Sequence, residues 1–169
     1  MRILGIDPGT AIVGWGVIDH DPQKLSNKVV AYGHIETLST LSDATRLAEI
    51  VSGITDLINT YKPHEAGLET LFYFKNAKTI ITVAQARGVI LHTCFSHKLV
   101  IGEYTPLQIK QSLTGYGRAN KSQMQEMIRN VLKLKKVPTP DDTADALAVA
   151  LCHSNSRKYL QTINFHTYV

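Results

Sequence analysis

The chain has 169 residues, a net charge of +4 and ordinary shares of apolar and charged residues, which points to one globular domain able to bury roughly 70% of its unfolded surface. Its two cysteines, Cys94 and Cys152, form no C-x-x-C pair, which excludes a disulfide framework, and no apolar run is long enough to span a bilayer. The charge is uneven: residues 1–72 hold five Lys/Arg against nine Asp/Glu, and residues 73–169 hold thirteen against five, a polarity suited to a polyanion across the second half.

In chain order, Ile3, Leu4 and Ile6 read as a buried strand that ends at Asp7. A carboxylate in such a run is costly to bury without a positive partner. The sequence enters this strand at once, with no signal-peptide organisation, so a cytoplasmic setting is expected. Pro8 and Gly9 turn the chain into a second strand, Ile12 to Ile18. Asp19 to Lys28 reads as a polar turn, and Val29 to Thr37 as a third, edge strand. A helix follows from Thr40 to Tyr61, with Ser42 as N-cap and Pro63 as stop. Glu65 to Glu69 is a short fourth strand reached by a crossover, ending on a second carboxylate. Leu71 to Phe74 is a dense apolar cluster in an expected loop.

Asn76 is placed to cap a helix running to about Phe95, with Ile80, Ile81, Ala84 and Leu91 on its apolar side. Gly88 within it suits close packing against another helix. Leu99 to Tyr104 is the fifth strand, and Pro106 opens a short helix to Leu113. After the basic loop 115–121, Ser122 and Gln125 make a capping-box pattern, with Met124, Met127, Ile128 and Val131 as the buried stripe. Pro140 suits the first turn of a last helix from Asp141 to about His153. The expected fold is α/β: a mixed five-stranded sheet, three antiparallel strands then two parallel, flanked by helices. The expected domain covers residues 1–155, and 156–169 form a polar tail.

The last helix carries Asp142 and Asp145 three residues apart, on one side. Packed near the end of the first strand, they would meet Asp7 and Glu69. Four converging acids repel one another unless cations occupy the site, and all-oxygen ligation selects Mg²⁺ or Mn²⁺ over Zn²⁺. Spacing alone does not choose Asp142 over Asp141, because Asp141 and Asp145 also share a face.

The sequence resembles the RuvC Holliday-junction resolvases of the ribonuclease-H-like superfamily. The resemblance runs from G-I-D-P-G-T at Gly5 through G-W-G at 14–16, L-E-T-L-F at 68–72, K-N-A at 75–77, Q-A-R-G at 85–88 and N-K-S-Q-M-Q at 120–125 to A-D-A-L-A at Ala144. It implies catalytic, metal-holding roles for Asp7, Glu69, Asp142 and Asp145, and so selects Asp142. It implies two Mg²⁺ ions per site, with Mn²⁺ able to substitute. It also implies nicking of four-way DNA junctions to 5′-phosphate and 3′-hydroxyl ends in recombination and repair. Lys110 and Lys121 are then expected at the DNA near the acids, and Phe72 on a base near the crossover. Lys75, Lys78, Arg87 and Arg118 are further expected phosphate contacts. A homodimer, with the 76–95 helix as interface, and a RuvA–RuvB-type branch-migration complex are the implied protein partners. Two other readings exist. The D-P-G-T…G-W-G turn also resembles the phosphate loop of actin-like ATPases and sugar kinases, and the basic half alone would serve a non-catalytic junction-binding module.

Overall fold

Five strands pair in the order β3-β2-β1-β4-β5. The computed structural model describes residues 1–70 and 80–162, with side chains to Arg157. β1 (Arg2–Asp7), β2 (Ile12–Asp21) and β3 (Ser26–Glu36) form an antiparallel meander. The crossover helix α1 (Asp43–Tyr61) returns the chain to β4 (Glu65–Glu69), which pairs with β1 in parallel. Helix α2 (Ile80–Ser96) leads to β5 (Val100–Tyr104), parallel to β4. Three helices complete the chain: α3 (Pro106–Thr114), α4 (Lys121–Val131) and α5 (Asp141–Thr162). The expected sheet, with three antiparallel strands then two parallel, is the sheet observed.

Alternation along the strands sorts the core into two halves. Leu4, Ile6, Val13, Val17 and Leu68 pack with Ile50, Ile54 and Ile58 of α1 and Ile90 of α2. Ile3 and Ile18 face the other way, into a core with Leu147 and Leu151 of α5, Ile109 of α3 and Ile128 of α4. The α5 face depends on a row of glycines. Gly16, Gly5, Gly67 and Gly102 are successive partners across β2, β1, β4 and β5. A Cβ on Gly5 would collide with the backbone of Ala146 and Ala150, one on Gly16 with Leu147, and one on Gly102 with His153 and Tyr104. The bare strip lets α5 lie close against the sheet.

Several local expectations change. The β2–β3 ladder continues through Asp19–Lys28 and His20–Asn27 to Asp21–Ser26, because polar side chains do not interrupt a ladder that projects toward solvent. Ser42 does cap α1, accepting from the Thr45 amide at 3.2 Å. The capping box of α4 is Asn120–Gln123 and not Ser122–Gln125: Asn120 Oδ1 accepts from the Gln123 amide at 2.9 Å, and Gln123 Oε1 from the Asn120 amide at 2.9 Å. In its last turn Leu132 is buried and Val131 is exposed.

The buried side of α2 is Ala86, Ile90, Thr93 and Cys94, whereas Ile81 is 71% exposed and Ala84 faces out. Among the described residues, none lies where a Cβ on Gly88 would touch it. Pro140 stands just outside α5, its carbonyl accepting from the Thr143 amide at 3.0 Å. α5 itself passes His153 and runs to Thr162. Polar residues there find partners: Asn155 donates to Ser112 Oγ at 3.1 Å, and Arg157 to Glu65. The cluster 71–74, with Phe72, and residues Lys75, Asn76 and Lys78 lie outside the described residues.

Candidate active site

Ile3 lies in the core beneath α5, so Gly5 and Asp7 share its face. On β4 the same alternation puts Glu65, Gly67 and Glu69 on the α5 side, as the approach of Gly67 to His153 confirms. Ile6 pairs with Leu68, so the next residues, Asp7 and Glu69, emerge side by side at the end of two parallel strands. Their charges act on each other across this end of the sheet.

The head of α5 completes the group. Gly14 is Asp7's partner in β2, and a Cβ there would run into the Asp142 carbonyl. The Thr143 hydroxyl donates to the Gly33 carbonyl of β3 at 3.2 Å, fixing the helix end over the meander. Asp142 and Asp145 are thereby brought to Asp7 and Glu69. Burial, then the charges of Glu69, Asp145 and Asp142, push the Asp7 carboxyl well above the usual carboxylate range. Burial also raises Asp145; Lys121 opposes that rise, Asp142 and Asp141 add to it, and Lys110 opposes it.

Two of the expected DNA-contacting lysines sit beside these acids. Lys110, on α3, acts on Asp145 electrostatically. Lys121, at the start of α4, holds Asp141 at 2.8 Å and lies 3.9 Å from Asp145. Asp141 accepts from Gln125 Nε2 as well, at 2.9 Å. Its own carboxyl is exposed and held below the usual range by Lys121. Asp141 is therefore the acid that tethers α4's lysine, while the charge of Asp142 acts on Asp7. The Asn120–Gln123 cap makes this possible, since it leaves Gln125 free to reach across. Arg118 is exposed in the loop before α4. Arg87 is ion-paired to Glu103 of β5, with its side chain 21% exposed.

The chemistry of the donor set can be tested against a metal. Among the described residues, no three acid, His or Cys side chains are set for an ion as they stand. The donors at the head of α5 are nonetheless all carboxylate oxygens, pressed together by the fold against their own repulsion. Hard oxygen donors with excess negative charge fit Mg²⁺ or Mn²⁺. Sequence reading also missed a polar cluster at the other end of α5. His153 is fully buried and bonds Glu65 at 2.8 Å and Tyr104 at 2.9 Å. The signals for it were present: a histidine within A-L-A-V-A-L-C-H, and glycines inside short strands.

Comparison with known proteins identifies the family. The family model described as "Crossover junction endodeoxyribonuclease RuvC" matches residues 3–153. A relative of that description from Caldicellulosiruptor saccharolyticus is 51% identical over 153 residues, covering 90% of this chain and 92% of its own. The Clostridioides difficile relative is 50% identical over 163 residues, covering 96% and 95%. The Thermus thermophilus RuvC structure matches with a TM-score of 0.86 at 29% identity, covering 94% of this chain and 96% of that one. A structure of T. thermophilus RuvC in complex with Holliday junction substrate matches with a TM-score of 0.84 at 26% identity, over 94% and 96%. The chain belongs to the RuvC family of crossover junction endodeoxyribonucleases.

Proposed function

We propose that this chain resolves four-way DNA junctions by paired symmetric nicks, working in recombination and repair beside a RuvA–RuvB-type branch-migration complex in the cytoplasm. The observation that carries the reading is the acid group around Asp7, charged against itself and flanked by Lys110 and Lys121. Such a centre holds cations and approaches phosphate from its lysine side. The Thermus relative bound to a Holliday junction supports the substrate.

Asp7, Glu69, Asp142 and Asp145 would hold two Mg²⁺, with Mn²⁺ able to substitute. When bound, such ions activate water and stabilise charge on the leaving 3′ oxygen. The chain's own residues do the rest. Lys121 and Lys110 attract the backbone phosphate to the acids, and Asp141 and Gln125 orient Lys121. Arg118 adds positive charge on the loop. Phe72, Lys75, Lys78 and Arg87 remain proposed contacts of the DNA, and engaging Arg87 requires its release from Glu103. Neutralising phosphates in this way makes affinity fall steeply with salt. The expected products are 5′-phosphate and 3′-hydroxyl ends.

Incubation with Mg²⁺ and either a synthetic four-way junction or a linear duplex of the same arm sequence tests the substrate. The junction alone should be cut; equal cutting of the duplex, or none of either, would count against the proposal. The roles of the adjacent acids separate in the same assay. Asp142→Asn should lose at least about a hundredfold in rate, more than outer-shell changes cost. Asp141→Asn should lose about tenfold or less, mainly through Lys121, with a shallower salt dependence of binding. Reversal of that order would show that Asp141 faces the metals.

A C2 dimer matches the near two-fold symmetry of a junction. The outward side of α2 offers the surface: Ile81 at 71% exposure, Phe95 at 56%, and the uncrowded Ala84 and Gly88 between them. Ile81→Asp should shift sedimentation from dimer to monomer at micromolar concentration and uncouple the two nicks. A dimer unaffected by Ile81→Asp would place the interface elsewhere.

A further inference from the structure

β4 and α5 meet twice. At the head of α5, Asp142 and Asp145 are gathered against Glu69 and Asp7, four groups that repel. At the far end the same two elements attract. Glu65 lies on the same face of β4 as Glu69. Its carboxylate takes His153 Nε2 on Oε2 at 2.8 Å, and Arg157 Nε at 3.0 and 3.1 Å on Oε1 and Oε2. His153 and Arg157 are one helical turn apart, so a single carboxylate grips two successive turns. The other ring nitrogen of His153 meets the Tyr104 hydroxyl at 2.9 Å, tying in β5. Gly67 and Gly102 leave the space that the ring occupies.

The two meetings lie on matching faces. Asp142, Asp145, Val149, His153 and Arg157 recur at three- and four-residue spacing along one side of α5. Asp142 and His153 are about 16 Å apart along the helix, and Glu69 and Glu65 about 13 Å apart along the strand. One attractive lock thus stands opposite one repulsive centre, on the same pair of elements.

A buried charged cluster is poor value as plain packing, since apolar side chains of similar volume often serve stability as well or better. Directed hydrogen bonds do what apolar packing does not: they admit one register. Over the glycine row the sheet offers few side chains to key against, so directed bonds select the register: Thr143 to Gly33 at the head of α5, and the Glu65–His153–Tyr104 group at its far end. We infer that Glu65, His153 and Tyr104 are positioning residues that fix the axial register of α5 on β4 and so set where Asp142 and Asp145 stand relative to Asp7 and Glu69. This rests on the reading of those four acids as the metal-holding, reacting centre.

The test compares His153→Leu, which keeps bulk and loses both bonds, with His153→Gln, whose amide can still donate to Glu65. Ile54→Ala, in the core on the opposite face of the sheet, serves as a control for lost stability. Mn²⁺ affinity is read by calorimetry, junction affinity by gel shift, and rate by single-turnover cleavage. His153→Leu should lose about 10–100-fold in Mn²⁺ affinity and in rate, with junction affinity unchanged. His153→Gln should regain most of both. Ile54→Ala, even with an equal or larger fall in Tm, should keep both near wild type. Should His153→Leu not fold, Tyr104→Phe, which keeps the ring and loses the hydroxyl's bond to His153, takes its place in the same comparison with a smaller expected loss. Wild-type Mn²⁺ affinity and rate in the lock variant, or losses matched by Ile54→Ala, would overturn the inference. A wild-type protein that neither binds Mn²⁺ nor cuts would overturn the reading of the acids, and this inference with it.

Discussion

Asp7→Asn is expected to abolish junction cleavage while leaving junction binding at least as tight as in the wild type. Asp7 is the acid at the centre of the group, pressed by the charges of Glu69, Asp145 and Asp142. Removing its charge deletes one of the four carboxylates that would hold the ions, a loss beyond the about 10–100-fold typical of outer-shell changes. The same change removes one negative charge from the place where phosphate must approach, so binding should not suffer. Loss of binding in parallel with cleavage would make Asp7 a structural residue.

Asp7→Asn has a second, independent signature in metal-free buffer. The Asp7 carboxyl titrates well above its ordinary 3.8. Below that value it is protonated both folded and unfolded, and its burial costs little. As pH rises through the folded-state value, the wild type must ionise a buried, repelled group and loses stability. Asparagine does not titrate. The variant should therefore melt higher than wild type at pH 7 in EDTA, with the gap closing as pH falls toward 4. A variant that melts lower across the whole range would contradict the assigned repulsion.

Gly5→Ala should be among the most damaging conservative substitutions in the chain. Its added methyl meets backbone atoms of Ala146 and Ala150, which no rotamer change can relieve. α5 must lift or shift. Overpacking of this kind costs about 3 kcal/mol, a fall of roughly 6–12 °C in Tm for a domain of this size. Asp142 and Asp145 ride on the same helix, so cleavage should fall further than the loss of folded protein explains. Gly88→Ala is the useful contrast, because no described residue lies within reach of its added methyl. It should raise monomer stability by about 0.5–1 kcal/mol through helix propensity. Melting curves on the two variants check the pair; equal small effects would show that the glycine row is not needed for close packing.

The strands were legible because apolar alternation and crossover spacing are local signals. Asp7 stood out since an acid at the end of a buried strand demands an explanation. The choice of Asp142 over Asp141 was not legible from spacing. The family resemblance selects it, and the approach of the Asp142 backbone to Gly14 and Lys121's hold on Asp141 support it as a proposal. The buried side of α2 was misread because I-I-T-V-A-Q-A-R-G-V-I-L carries apolar residues all round, so no single stripe stands out. The start of α4 was read two residues late because Ser122–Gln125 and Asn120–Gln123 are equally good local patterns, and only the folded hydrogen bonds distinguish them. The glycine row and the Glu65–His153 lock depend on partners in separate strands and on a helix 88 residues away in sequence. No local pattern encodes such pairings, though each glycine inside a short strand marks a place where something comes close.

End-labelling each strand of a mobile four-way junction in turn, and mapping the nicks made with Mg²⁺, tests the central claim most directly. Paired nicks at symmetry-related positions, sealed by ligase without further processing, are the predicted result. Nicks on a single strand, at unrelated positions, or with ends that ligase cannot seal would contradict a symmetric two-site resolvase built on Asp7, Glu69, Asp142 and Asp145.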